Sequence, residues 1–212
     1  MSTLSSRLLP SVTNMIRLDH THVLSTFHQY KAAAPARVRK GLASTIFTAL
    51  EIHAQLGEGI FDPAAAGIEG GAAILGDSLS EHAEMRRLID LLRRMEPEAI
   101  DYDATLMSLM RNVLHHVADE ETQVLPQAER LIPDQLGELG LRMTKRRMEL
   151  VAPRSGEIAM NMARAASGNK IAITLVAAAA AAGCVLMGSR RRMRAPARRL
   201  LRRWPPWSPG QR

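Results

Sequence analysis

Cysteine is almost absent from the 212-residue chain: Cys184 stands alone, which excludes an intramolecular disulfide framework and any zinc site built on several thiolates. Aromatic residues are scarce too, with three Phe, two Trp and two Tyr. Sandwiches and barrels draw on aromatic and β-branched strands, so a chain rich in Ala, Leu, Ile and Met reads as all-α. The first ten residues lack the basic region and apolar run of a secretory signal, and no N-terminal export signal is expected. No nucleophile triad or nucleotide motif is found; GIEGGAAILG (67–76) has glycines but no strand before it, so it does not read as a phosphate loop. What is present is 46% hydrophobic and 23% charged, enough for one good core rather than disorder.

The net charge of +7 is unevenly spread. Residues 171–212 hold nine arginines, no lysine and no acid; removing those nine from 28 basic residues leaves 19 against 21 acidic ones in 1–170. The main body is therefore slightly acidic, and a nucleic-acid surface is not expected.

Apolar periodicity marks four helices. The first covers 12–34, with Thr13 or Asn14 as N-cap and Pro35 as the stop; the second covers 36–59 and ends at Gly57, Gly59 and Pro63. The third covers 78–95, stopped by Pro97, and the fourth runs from an Asp101 cap to about Leu125, where Pro126 permits continuation only with a kink. Helices of about twenty residues with short links predict an up-down-up-down four-helix bundle. An amphipathic segment at 134–151 adds a C-terminal helix, and Pro153, Ser155 and Gly156 mark a linker over 153–170. The bundle domain is accordingly placed at 12–152. Residues 171–188 carry no charge, which predicts a transmembrane helix, followed by the Arg-rich tail 189–212. Positive-inside reasoning and the lack of an export signal conflict over topology; a cytoplasmic bundle tethered to the inner membrane face is expected.

Histidines stand at 20, 22, 28, 53, 82, 115 and 116, at least one per proposed helix and none in the tail. His116 is followed four residues later by Glu120, on the same helix face, and imidazole with carboxylate suits iron, manganese or zinc. An echo sharpens this: His53 and His116 are each followed ten residues later by a proline, with an apolar pair shortly before it. Asp19, Glu81, Glu84, Asp119 and Glu121 read as solvated acids, Asp19, Glu81 and Glu84 also as outer partners of a site.

The segments LDHTHV (18–23), IHAQLGEGIFDP (52–63), SEHAEMRRLI (80–89) and HHVADEETQVLP (115–126), in that order, resemble the four signature helices of the hemerythrin-like HHE cation-binding domain, with the closing ELGLRMTKRRMEL (138–150) extending the likeness over roughly 12–150. The resemblance implies a non-haem iron centre, di-iron or mononuclear, with ligand roles falling on His20, His53, His82, His116 and Glu120. The family's second carboxylate falls on Gly57; Glu58, one place later, could serve only through a locally wider turn such as a π-bulge. The place of a further histidine on the third helix holds Arg86, which argues against reversible oxygen transport. His22, His28 and His115 are bystanders, His115 or His22 being the alternates should the helical phase differ. The implied function is binding or sensing of O2, NO or redox state near a membrane. The alternatives are a di-iron enzyme turning over peroxide or nitric oxide, and a structural bundle with a degenerate site.

Overall fold

The computed structural model describes residues 10–67, 75–76 and 78–166, which among themselves are helical with no strand. Helix α1 (Val12–His28) begins at Ser11, whose hydroxyl accepts the Asn14 amide at 3.2 Å. Ser11 therefore caps it, not Thr13 or Asn14; Thr13 turns inward and bonds the Ser11 hydroxyl at 3.0 Å. Helix α2 (Ala36–Leu56) starts after Pro35, widens into a π turn over Gly57–Phe61 and continues as the short α3 (Asp62–Ala66). Helix α4 (Ser78–Arg94) is followed by α5 (Tyr102–Asp119), a second π turn (Glu120–Val124) and α6 (Leu125–Leu131). Asp101 stands at the start of α5, but its side chain makes no capping bond.

Both π turns directly precede a helix with proline near its start, Pro63 in α3 and Pro126 in α6. Proline lacks the N–H of a regular α turn and its ring crowds the carbonyl four residues back, so a wider turn carries the chain past it. The histidine-to-proline echo in the sequence is thus a repeated piece of structure.

Two apolar cores hold the bundle. One gathers Val23 from α1, Leu42, Ile46 and Leu50 from α2, Leu88 and Leu92 from α4, and Leu106, Leu109 and Val113 from α5. The other gathers Val12 and Ile16, Leu56 and Phe61, and Val124, Leu125 and Ala128. Going from the second core to the first, numbers rise along α1 and fall along α2 and α5; α4 enters the first core with rising numbers. That order is the antiparallel up-down-up-down arrangement.

Helix α7 (Leu136–Val151) lies against α1 and α2, burying Leu139, Met143 and Leu150 in the second core. The stretch read as a linker is different. After a 3-10 turn at Ala152–Arg154 the chain forms α8 (Ser155–Ala165), packed on α2. Pro153 opens a turn where no amide is needed, so it does not break the path. Gly41 permits the contact: a Cβ there would stand 2.5 Å from the Ala165 nitrogen and 2.8 Å from the Arg164 Cβ. Arg37 completes it by donating to the Ala163 carbonyl at 3.2 Å. The packed unit therefore runs past residue 152. No helix among the described residues is long and apolar enough to cross a membrane. The spanning helix expected at 171–188 and the Arg-rich tail lie outside the described residues.

Candidate metal centre

Between the two cores each long helix turns one histidine inward: His20 from α1, His53 from α2, His82 from α4 and His116 from α5, all buried. Glu120 opens the second π turn one helical turn beyond His116 and is buried with them. One ligand atom each from His20, His53, His116 and Glu120 lies within 4.8 Å of the others. The Nε2 atoms of His20, His116 and His53 stand 3.0, 3.5 and 3.8 Å from Glu120 Oε2. His53 and His116 face each other through Nε2 at 3.4 Å, and His82 Nε2 comes within 3.3 Å of His116 Nε2. Groups bonded at about 2.0–2.2 Å to one ion stand roughly 3–4 Å apart, which is the spacing seen here.

The opposite ring nitrogen of every histidine faces an acid from another helix segment. Asp19 of α1 lies 3.8 Å from His53 Nδ1, and Glu58 of the first π turn accepts from His82 Nδ1 at 3.1 Å. Glu81 of α4 accepts from His116 Nδ1 at 2.9 Å, and Glu121 of the second π turn accepts from His20 Nδ1 at 2.8 Å. The acids thus form a closed ring, each strand of the bundle holding the imidazole of the next. The contact at 3.8 Å is the loosest, because Arg147 of α7 draws both Asp19 oxygens to 2.6 Å.

This ring decides where the protons sit. An acid at Nδ1 places the proton there and leaves Nε2 as a bare lone pair. Several lone pairs then converge on one another and on a carboxylate, an arrangement that repels itself unless a cation lies between. His20 Nε2 and Glu120 Oε2 are buried and make no hydrogen bond of proper geometry although they are 3.0 Å apart. Six carboxylates (Asp19, Glu58, Asp62, Glu81, Glu120, Glu121) surround the layer, two of them, Glu58 and Asp19, paired with Arg86 and Arg147. The donor set therefore fits a di- or trivalent cation.

With no cation between them, positive charge on the neighbouring rings takes its place: burial alone would raise Glu120, but protonated imidazole, His20 foremost, holds it at about 2. Burial, reinforced by His116 and His53, pushes His82 down to about 4, and burial also lowers His116. Both are kept neutral at ordinary pH, the form that binds metals. His53 moves the other way: burial lowers it, but Asp19 and Glu120 outweigh that and raise it.

Of the residues singled out from sequence, His20, His53, His82, His116 and Glu120 are brought together. Glu58 is not: despite the π turn it points outward, bonded to His82 and to Arg86 at 2.6 Å. Asp19, Glu81 and Glu121 are outer partners of imidazoles rather than solvated acids, whereas Glu84 pairs with Arg87 on the surface. His115 is 72% exposed beside Glu81 and Asp119, and His22 and His28 are exposed. Asp62 was not anticipated: it is 8% exposed and its Oδ2 has no hydrogen-bond partner. Its signal would have been position, a π turn beyond Gly57, which single-helix spacing does not reveal. A cavity of about 200 Å³ lined by Glu81, His116, Glu120 and Gln123 reaches the centre.

Buried imidazoles and a carboxylate converging inside an antiparallel helical bundle, with an acid behind each imidazole, define a helical-bundle metal-binding protein. The chain matches the family model described as Hemerythrin HHE cation binding domain over residues 11–128, more than half its length, and belongs to that family. The matched range contains every residue of the cluster and ends inside α6, so α7 and α8 lie beyond it. The crystal structure of a hemerythrin HHE cation binding domain-containing protein from Mycobacterium kansasii is similar, with a TM-score of 0.61, covering 79% of this chain and 99% of that one at 16% identity. At that identity the likeness speaks for the fold alone. No curated protein sequence matches significantly. In such a site a transition metal supplies Lewis acidity, and iron adds a redox couple.

Proposed function

We propose that the bundle is a non-haem iron protein that binds or senses O2 or NO, or reports redox state, through the cluster of His20, His53, His82, His116 and Glu120. The observation that carries this reading is the double set of contacts at each ring, with Nε2 turned inward and Nδ1 facing an acid. Iron accepts such mixed nitrogen and oxygen donors, and a donor set this small leaves positions for a small ligand. The cavity beside His116 and Glu120 supports access for a diatomic molecule.

The test is metal analysis and optical spectroscopy of the full chain purified without a histidine tag and loaded with ferrous iron. Iron should be retained, and the spectrum should change on adding O2 or NO. His116→Ala and Glu120→Ala should lose most of the iron, while His28→Ala should keep it. Equal behaviour of all three variants would overturn the assignment. Repeated consumption of peroxide or NO would move the reading to an enzyme; one ligand per site supports a sensor. The uncharged run 171–188 and the arginines after it support a tether at the cytoplasmic face of a membrane, which fractionation of the full chain tests.

A further inference from the structure

We propose that Asp62 supplies the second carboxylate of the metal centre, occupying the space that Gly57 leaves open. This rests on the metal-binding reading above and names a residue for it.

The two π turns are in the same register. Gly57 opens the first and Glu120 opens the second, each four residues after an inward histidine. The residue after each turn, Asp62 in one case and Leu125 in the other, donates its amide back to the carbonyl of the opening residue. In a π turn the residue five places on therefore lies over the first, and helical side chains tilt toward the N-terminus. Asp62 is aimed back over Gly57 by this geometry. A Cβ built on Gly57 would meet Asp62 Oδ1 at 3.6 Å, Oδ2 at 3.9 Å and the His82 ring carbon Cε1 at 3.7 Å. The aspartate carboxylate thus shares with His82 the space into which a side chain at 57 would project.

The two half-sites are mirror choices. On one turn the acid stands first and an apolar residue follows, Glu120 and then the fully buried Leu125. On the other, a residue without a side chain stands first and the acid follows. A shorter side chain starting one π turn later reaches back to the same region. Asp62 is over nine-tenths buried with an unpartnered Oδ2, which a cation would satisfy. Burial, then repulsion from Glu120, pushes Asp62 up to about 6, and an ion near both acids would relieve both penalties.

The test uses the untagged full chain with ferrous iron, and with zinc as a redox-silent probe, reading stoichiometry by elemental analysis and affinity by chelator competition. Asp62→Asn should lower affinity for at least one ion by about tenfold or more. The same variant should leave metal-free thermal stability unchanged or raised, because it removes a buried charge without a partner. A merely structural aspartate would show the reverse, loss of apo stability with unchanged metal affinity, and that result overturns the proposal. In the paired variant Gly57→Glu with Asp62→Ala, the glutamate should recover the affinity that Asp62→Ala alone loses. Retention of wild-type metal binding by both Asp62 variants also overturns it while leaving the metal-binding reading intact. Failure of the wild-type chain to bind either ion would overturn both.

Discussion

Replacing Arg147 by Met isolates one tie between the outer helix α7 and the centre. Arg147 donates to both oxygens of Asp19 at 2.6 Å, and Asp19 in turn stands behind His53. Exposed pairs contribute about 0–1 kcal/mol, whereas breaking a buried pair costs about 3–5 kcal/mol because one charge is stranded. The side chains here are 30% and 14% exposed, between those limits, so a loss of about 2 kcal/mol is expected. Met keeps the length and most of the packing of the arginine stem, which confines the change to the charged head. For a domain of this size that loss corresponds to a fall of about 4–8 °C in Tm. Urea unfolding of the metal-free protein measures it directly, with Arg146→Met as the control. Arg146 makes only an i,i+3 pair with Glu149 at about half exposure on both sides, and its loss should stay within about 0.5 kcal/mol. If the two variants unfold within 0.5 kcal/mol of each other, the bidentate pair does not anchor α7 and the reasoning fails.

Gly41→Val should lever α8 away from α2, since even a Cβ would stand 2.5 Å from the Ala165 nitrogen; a cost of about 1–3 kcal/mol is expected, read as faster hydrogen exchange of the α8 amides, and wild-type protection there would refute the close packing. Glu81→Gln removes the charge behind His116 and should weaken metal binding by about 10–100-fold, with Glu84→Gln as a surface control that leaves affinity unchanged; equal affinities would show that the outer ring does not tune the ligands. Burial pushes Tyr102 up to about 12, and burial with the neighbouring Asp103 pushes Tyr30 higher still. Each folded value lies above the ordinary one of 10, so this stabilisation is complete below pH 10 and lost as pH rises further. Absorbance of the two tyrosines at a tyrosinate wavelength should therefore rise only together with alkaline unfolding, and ionisation near the ordinary value with helicity intact would contradict the burial.

The bundle was legible because its helices carry apolar residues at helical spacing and end at Pro35, Gly57 and Pro97, signals that act within one element. What escaped depends on contacts between elements. Helix α8 looked like a linker because Pro153 and Gly156 read as breakers, yet its docking rests on the missing side chain at Gly41, far away in sequence. Glu58 illustrates a condition that was met with a different outcome. The wider turn that it needed does form, but Arg86 of α4 holds it outward and it supports His82 from behind. Asp62 escaped because a spacing of four along a regular helix is the wrong ruler once the helix widens.

Asp19 and Glu81 were legible as outer partners, but which imidazole each acid serves was not, for a reason that bears on how the centre can be assembled. Each acid serves a histidine on another segment, 24, 35 and 101 residues away for Glu58, Glu81 and Glu121, so no reading of one helix at a time connects them. Asp19 directly precedes His20, and Glu81 directly precedes His82, yet neither acid serves its own neighbour. Adjacent residues on a helix diverge by about 100°, so when the histidine points to the axis its predecessor points toward a flanking helix. An acid beside an inward histidine is then placed at the helix-helix seam, where the next imidazole needs a partner. Glu58 and Glu121 close the ring from a different position, five residues after the inward histidine of their own segment and within the two π turns. The closed ring also ties the register of the helices to the protonation of the imidazoles, because sliding one helix by a turn would strand two imidazoles and two acids at once.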